Sequence, residues 1–98
     1  MLVHSVFFWL KEDLSEAELY LFREKLETLK QIPAAHSVYI GTPASTDRPV
    51  IDRSYDFALT VVFEDIGKHD KYQTDPLHKT FLNECSNMFE KVLIYDAD

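Results

Sequence analysis

One cysteine, two glycines and four prolines are all that this 98-residue chain holds of the residues that cross-link or sharply bend a backbone. The lone Cys85 has no partner for an internal disulfide and fits a reducing compartment. Gly41 and Gly67 stand far apart, so no Gly-rich loop can cradle a phosphate and no cofactor is expected. Basic residues are scarce too: Lys+Arg 10 against Asp+Glu 17 give a formal charge of −7. That balance argues against nucleic acid, which needs a clustered positive face, and against an anionic membrane surface. No run of about 18 apolar residues occurs, so nothing reads as a bilayer span. The opening MLVHSVFFWLK lacks a basic leader and a small-residue cleavage site, and reads as a strand. The expectation is one cytoplasmic domain over residues 1–98.

What is present falls into short periodic segments. Leu2 to Leu10 is rich in β-branched and aromatic residues and predicts a first strand. Ser15-Glu16-Ala17-Glu18 has the form of a capping box, followed by Leu19, Phe22, Leu26 and Leu29 at helical spacing. That helix should stop before Pro33. His36 to Ile40 predicts a second strand and Tyr55 to Glu64 a third, separated by a long aperiodic loop, Thr42 to Ser54. Asp65 to Tyr72 reads as a short helical turn. Pro76 to about Phe89 reads as a helix with Leu77, Phe81, Cys85 and Met88 on one stripe, and Val92 to Tyr95 as a fourth strand. The order predicts an α+β, ferredoxin-like βαββαβ protomer with helices on one face of a four-stranded antiparallel sheet.

Such a sheet should alternate apolar and polar residues, yet these strands are apolar on both sides. Val3, Phe7 and Trp9 oppose Leu2, Val6, Phe8 and Leu10, with His4 among the latter. Phe57, Leu59, Val61 and Phe63 oppose Ala58, Thr60 and Val62, and Val92 and Ile94 oppose Leu93 and Tyr95. Helices cannot cover both faces, and an apolar patch that large is rare on a soluble monomer. A homodimer follows, with the Leu59 row assigned to the partner-facing side. Phe7, Trp9, Phe22 and Phe81 read as an aromatic core stripe.

The chemistry concentrates in Tyr72-Gln73-Thr74-Asp75-Pro76-Leu77-His78. Asp75 reads as an N-cap and Pro76 as the first helical residue. His78 then sits in the first turn, where the helix dipole disfavours added positive charge and Asp75 pulls the other way. A neutral imidazole there could accept a proton, and Tyr72 could donate a hydrogen bond. Cys85 reads as a small buried hydrophobe. His36 and His69 have no partner at ligand spacing, so both read as surface or interface residues and no metal is expected.

These residues resemble the stress-responsive dimeric α/β-barrel (Dabb) domain family. The matching stretches are His4-Ser5-Val6-Phe7-Phe8-Trp9-Leu10-Lys11, Ile32-Pro33-Ala34, Val38-Tyr39-Ile40-Gly41 and Tyr55-Asp56-Phe57-Ala58-Leu59. Val62-Phe63-Glu64, the block from Tyr72 through His78 to Phe81, and Lys91-Val92-Leu93-Ile94-Tyr95-Asp96 complete nearly the whole chain. The resemblance implies two sheets packed into a barrel with an internal pocket lined by His4, Val6, Phe8, Phe57, Leu59, Val61, Phe81, Val92 and Ile94. In a plant cyclase of this family, counterparts of Tyr72 and His78 close a linear polyketide by an aldol step. By that resemblance, His78 would be the base and Tyr72 the oxyanion donor. A pocket histidine of that enzyme corresponds to Phe57, which makes the pocket here more apolar. Some plant members hold Mg²⁺ on main-chain carbonyls, corresponding to the region of Leu29, Ile32 and Ala35. The leading expectation is a binder of a small apolar or aromatic ligand. A cofactor-free cyclase-like lyase using Tyr72 and His78 is the alternative, and a cofactor-free monooxygenase, by fold analogy, a second.

Overall fold

A computed structural model describes residues 1–98 as a single four-stranded antiparallel sheet in the order β2-β3-β1-β4 with helices on one face. The elements are β1 (Leu2–Leu10), α1 (Glu16–Thr28), β2 (Ser37–Gly41), β3 (Phe57–Phe63), α2 (Ile66–Thr74), α3 (Pro76–Cys85) and β4 (Phe89–Ala97). The expected ferredoxin-like fold is present. Local chemistry sets the helix starts. Ser15 and Glu18 form the full capping box, Asp65 accepts from the Lys68 N–H at 2.9 Å, and Asp75 accepts from the Leu77 N–H at 2.9 Å.

Strand alternation sorts the core. Leu2, His4, Val6, Phe8 and Leu10 are buried, and Val6 pairs across β1 with Leu59 on one side and Ile94 on the other. Phe22 stands at the centre, its ring 5.3–5.9 Å from those of Phe8, Phe57, Phe81 and Phe89. Leu26, Leu29, Cys85 and Met88 complete the helix side, whereas Leu19 is largely exposed and leaves the expected stripe.

Three expectations change. Leu59 is buried beneath the helices, not turned to a partner, because its register with Val6 puts it on the helix-covered face. Phe7 and Trp9 lie half-buried on the opposite face instead of in the core. Phe7 packs on Tyr55 at 5.2 Å, and Trp9 bonds Ser54 at 3.0 Å beneath the Lys91 ammonium. The last helix ends at Cys85, where the chain tightens into a 3₁₀ turn over Ser86–Met88. This change of course brings Phe89 onto Phe8, 5.1 Å away, and lets β4 pair with β1 from Phe89 to Ala97. The long loop is tied at its return end, with Arg53 donating to the Ala44 carbonyl and Ser54 to Asp52.

Phe22→Ala should destabilise the domain by about 3–5 kcal/mol through lost burial and the cavity left behind. Urea unfolding should show the midpoint fall with little change in slope.

Candidate functional site

The junction Thr74-Asp75-Pro76 assembles the site. A proline disfavours helical geometry in the residue before it, and Asp75 is accordingly extended, at φ −64° and ψ 140°. One residue thus ends α2, through its N–H to the Tyr72 carbonyl at 3.2 Å, and caps α3 through its carboxylate. The break folds the last turn of α2 against the first turn of α3. Tyr72 and His78 meet there with ring centroids 4.9 Å apart.

Both residues line a cavity of about 200 Å³ between the sheet and α2 and α3. Of the residues expected around a ligand, His4, Val6, Phe8, Leu59, Phe81, Val92 and Ile94 share this wall. Phe57 and Val61 do not. Phe57 turns toward Phe22 and the Arg23 guanidinium, and Val61 is sealed in the core. Leu29, Gln73, Leu82 and Phe89 join the wall unforeseen. The space therefore lies under the helices of one protomer, not between two sheets. It borders the β4 edge, where Val92 and Ile94 remain 39% and 47% exposed.

Two polar atoms in this region lack a partner: the Tyr72 hydroxyl and His78 Nδ1 are buried without a hydrogen bond. Burial pushes the Tyr72 phenol well up, so it stays a protonated donor. Burial also lowers the His78 pKa, and nearby His4 adds to that effect. The Gln73 backbone and the Asp75 carboxylate oppose it without reversing it. Burial therefore shifts His78 toward the neutral imidazole, the direction in which the helix dipole also acts. Cys85 is buried and its thiol is pushed up by the same desolvation, which leaves it inert.

Beside this pair lies a cluster that sequence spacing did not reveal. His4 Nδ1 contacts Asp96 Oδ1 at 2.5 Å, and the His69 ring lies 5.2 Å from that of His4. His69 is therefore not a surface residue: its side chain is 16% exposed and packs on Phe63. The sheet pairs residue 4 with residue 96, and α2 lays residue 69 across them, a proximity that no linear motif encodes. His36 is exposed as expected. In the main-chain segment around Leu29, Ile32 and Ala35, the carbonyls of Leu29 and Ile32 each accept one backbone N–H group, which leaves a second lone pair on each.

The family model for the stress responsive A/B barrel domain matches residues 2–98. No curated protein matches the chain. Among solved structures, a Dabb family protein with a ferredoxin-like fold from Mesorhizobium loti is 24% identical. It superposes with a TM-score of 0.80, covering 99% of this chain and 94% of its own. A hydroxynitrile lyase from Passiflora edulis is 21% identical, with a TM-score of 0.79 over 98% of this chain and 90% of its own. A dimeric ferredoxin-like protein of unknown function from Thermobifida fusca is 18% identical, with a TM-score of 0.79 over 98% and 88%. At these identities the likeness establishes a shared fold.

The lowered His78 pKa has a pH consequence with a fixed sign. Between the folded value and the ordinary 6.5, the unfolded chain binds more protons at this site than the folded one. Its contribution to stability is complete above pH 6.5 and lost as pH falls toward the folded value. His78→Gln should flatten that part of the stability profile, and an NMR titration of the wild type should place His78 below 6.5.

Proposed function

Because the chain belongs to the stress-responsive A/B barrel domain family, we propose that it binds a small, mostly apolar molecule in the cavity beside Tyr72 and His78. The supporting observation is the unpartnered Tyr72 hydroxyl and His78 Nδ1 on a wall that is otherwise apolar except for His4 and Gln73. A buried polar atom left unpaired costs about 1–3 kcal/mol, so a ligand oxygen that bonds both atoms would recover much of that cost. A volume of about 200 Å³ is below the roughly 300–1,000 Å³ of drug-sized pockets. The fitting ligand is therefore compact, with an apolar body and a carbonyl or hydroxyl at one end.

The shift of His78 toward the neutral form favours a second reading, a cofactor-free lyase. In it, an intramolecular aldol step, His78 takes a proton from the carbon next to one ligand carbonyl, and the Tyr72 hydroxyl stabilises the enolate oxygen. The enolate carbon attacks a second carbonyl of the same molecule, whose oxygen receives the proton back from His78. The hydroxynitrile lyase from Passiflora edulis shares this fold, which lends the reading support by analogy. The chain also works as a homodimer in our reading, since Val3, Phe7, Trp9, Leu93 and Tyr95 leave the outer sheet face apolar. The Thermobifida fusca relative is described as dimeric.

A panel of small aryl ketones and linear β-polyketones tests the pocket. Binding should raise the melting temperature, and Tyr72→Phe should weaken affinity about 3- to 10-fold, as expected for one lost hydrogen bond. If turnover accompanies binding, His78→Ala should lower the rate by about 10²–10⁴ while affinity changes far less. Binding unaffected by Tyr72→Phe and His78→Ala would overturn the pocket assignment. Assembly is checked separately by light scattering at micromolar concentration. The wild type should be a dimer and Phe7→Asp a folded monomer.

A further inference from the structure

The cluster of His4, His69 and Asp96 shares only His4 with the cavity wall beside Tyr72 and His78, and it has the composition of a metal site. Each residue offers one ligand atom, and the three atoms lie within 4.8 Å of one another. We infer that His4, His69 and Asp96 form a three-ligand site for a divalent transition metal of the zinc class.

Two imidazoles and one carboxylate are a donor set that Zn²⁺ accepts in tetrahedral geometry with its fourth position open to water or ligand. Bonds of about 2.0–2.2 Å to such an ion hold its ligand atoms roughly 3.3–3.6 Å apart. The ligand atoms here span that range, from the 2.5 Å His4–Asp96 contact to the 4.8 Å limit of the cluster. Binding therefore asks the close pair to open by about one ångström and His69 to close by at most roughly 1.5 Å. Loss of the hydrogen between His4 and Asp96 is a natural exchange, since a metal replaces a proton at both atoms.

The surroundings suit coordination. His4 is anchored on the central strand and its side chain is 4% exposed, whereas Asp96 lies at the sheet edge and is 44% exposed. A metal can thus approach from solvent and meet a fixed ligand. Phe63 contacts both imidazoles, with ring centroids 6.1 Å from His4 and 5.5 Å from His69, and gives the site a dry floor. The Asp70 carboxylate lies 3.1 Å from His69 Nδ1 and can accept its N–H, and in that tautomer the Nε2 lone pair is free for an ion. Gln73, 3.4 Å from Nε2, is held only by that long contact. His4 also belongs to the cavity wall, so an ion here would place a Lewis acid at the margin of the ligand space.

The test uses the full chain, stripped of metal by dialysis against a chelator, and Zn²⁺ as the probe. Competition with a chromophoric chelator should give one ion per chain, and Co²⁺ should show the intense visible absorption of a tetrahedral site. His69→Gln should weaken Zn²⁺ affinity at least ~10-fold while circular dichroism and ligand binding in the Tyr72 pocket persist. His36→Gln, at an exposed histidine outside the cluster, should change nothing. Failure to bind Zn²⁺, or equal binding by wild type and His69→Gln, would overturn the site. Neither result bears on the pocket, which the ketone panel reads independently.

Discussion

Three helices do not cover four strands, and the cavity, the open β4 edge and the apolar outer face follow from that shortfall. The helices pack over β2, β3 and β1, where the inward residues are almost all buried, and leave β4 at the margin. From Glu90 onward, every β4 residue except Leu93 is exposed, although the strand pairs with β1 along its length. The apolar side chains of Val92 and Ile94 therefore border an unfilled space instead of a helix. This places the cavity and the carboxylate of Asp96 at one accessible edge, on the same side of the sheet. The opposite face has no helix at all and carries aromatic residues, which is a strong thermodynamic reason to meet another surface.

Within that frame, the Asp75-Pro76 step sets how Tyr72 and His78 meet. A continuous helix from residue 66 to 85 would hold residues 72 and 78 six positions apart, well past the one turn that brings side chains together. Breaking the helix lets them face each other at 4.9 Å. The break needs no glycine and no positive φ. It uses proline's steric effect on its predecessor, with an aspartate that supplies the cap on both sides. Desolvation then biases the protonation states, raising the pKa of the phenol and lowering that of the imidazole.

Much of this was legible in the sequence because it is local. The capping box at Ser15, the Asp75 cap and the buried row of β1 each follow from neighbours within a few residues. The β4 boundaries were not, because Glu90 and Asp96 lower strand propensity while pairing with β1 supplies the hydrogen bonds that propensity cannot show. Leu59 was assigned to the wrong side for a related reason: an apolar row on both faces gives no local indication of which face the helices choose. His69 was missed because its neighbours are 65 residues away in β1 and 27 away in β4, and only the packed helix brings them together. Periodicity identifies faces, but it cannot count what meets across them.

Marginal stability adds a reason to treat these sites as functional. A domain of this size rests on about 5–15 kcal/mol in total, so two unpaired buried atoms at about 1–3 kcal/mol each are a large fraction of it. Phenylalanine in place of Tyr72 would remove one deficit while keeping the ring packing on Phe63 and His78. A leucine in place of His4 would fit the row of Leu2, Val6 and Phe8 and need no carboxylate partner. The fold could have been built more stably with those residues, because every other inward position of β1 is apolar. Where a sequence departs from its own local rule at adjacent positions in space, and the departures are histidine and tyrosine, the physical expectation is a site that exchanges hydrogen bonds, protons or a metal with something outside the chain.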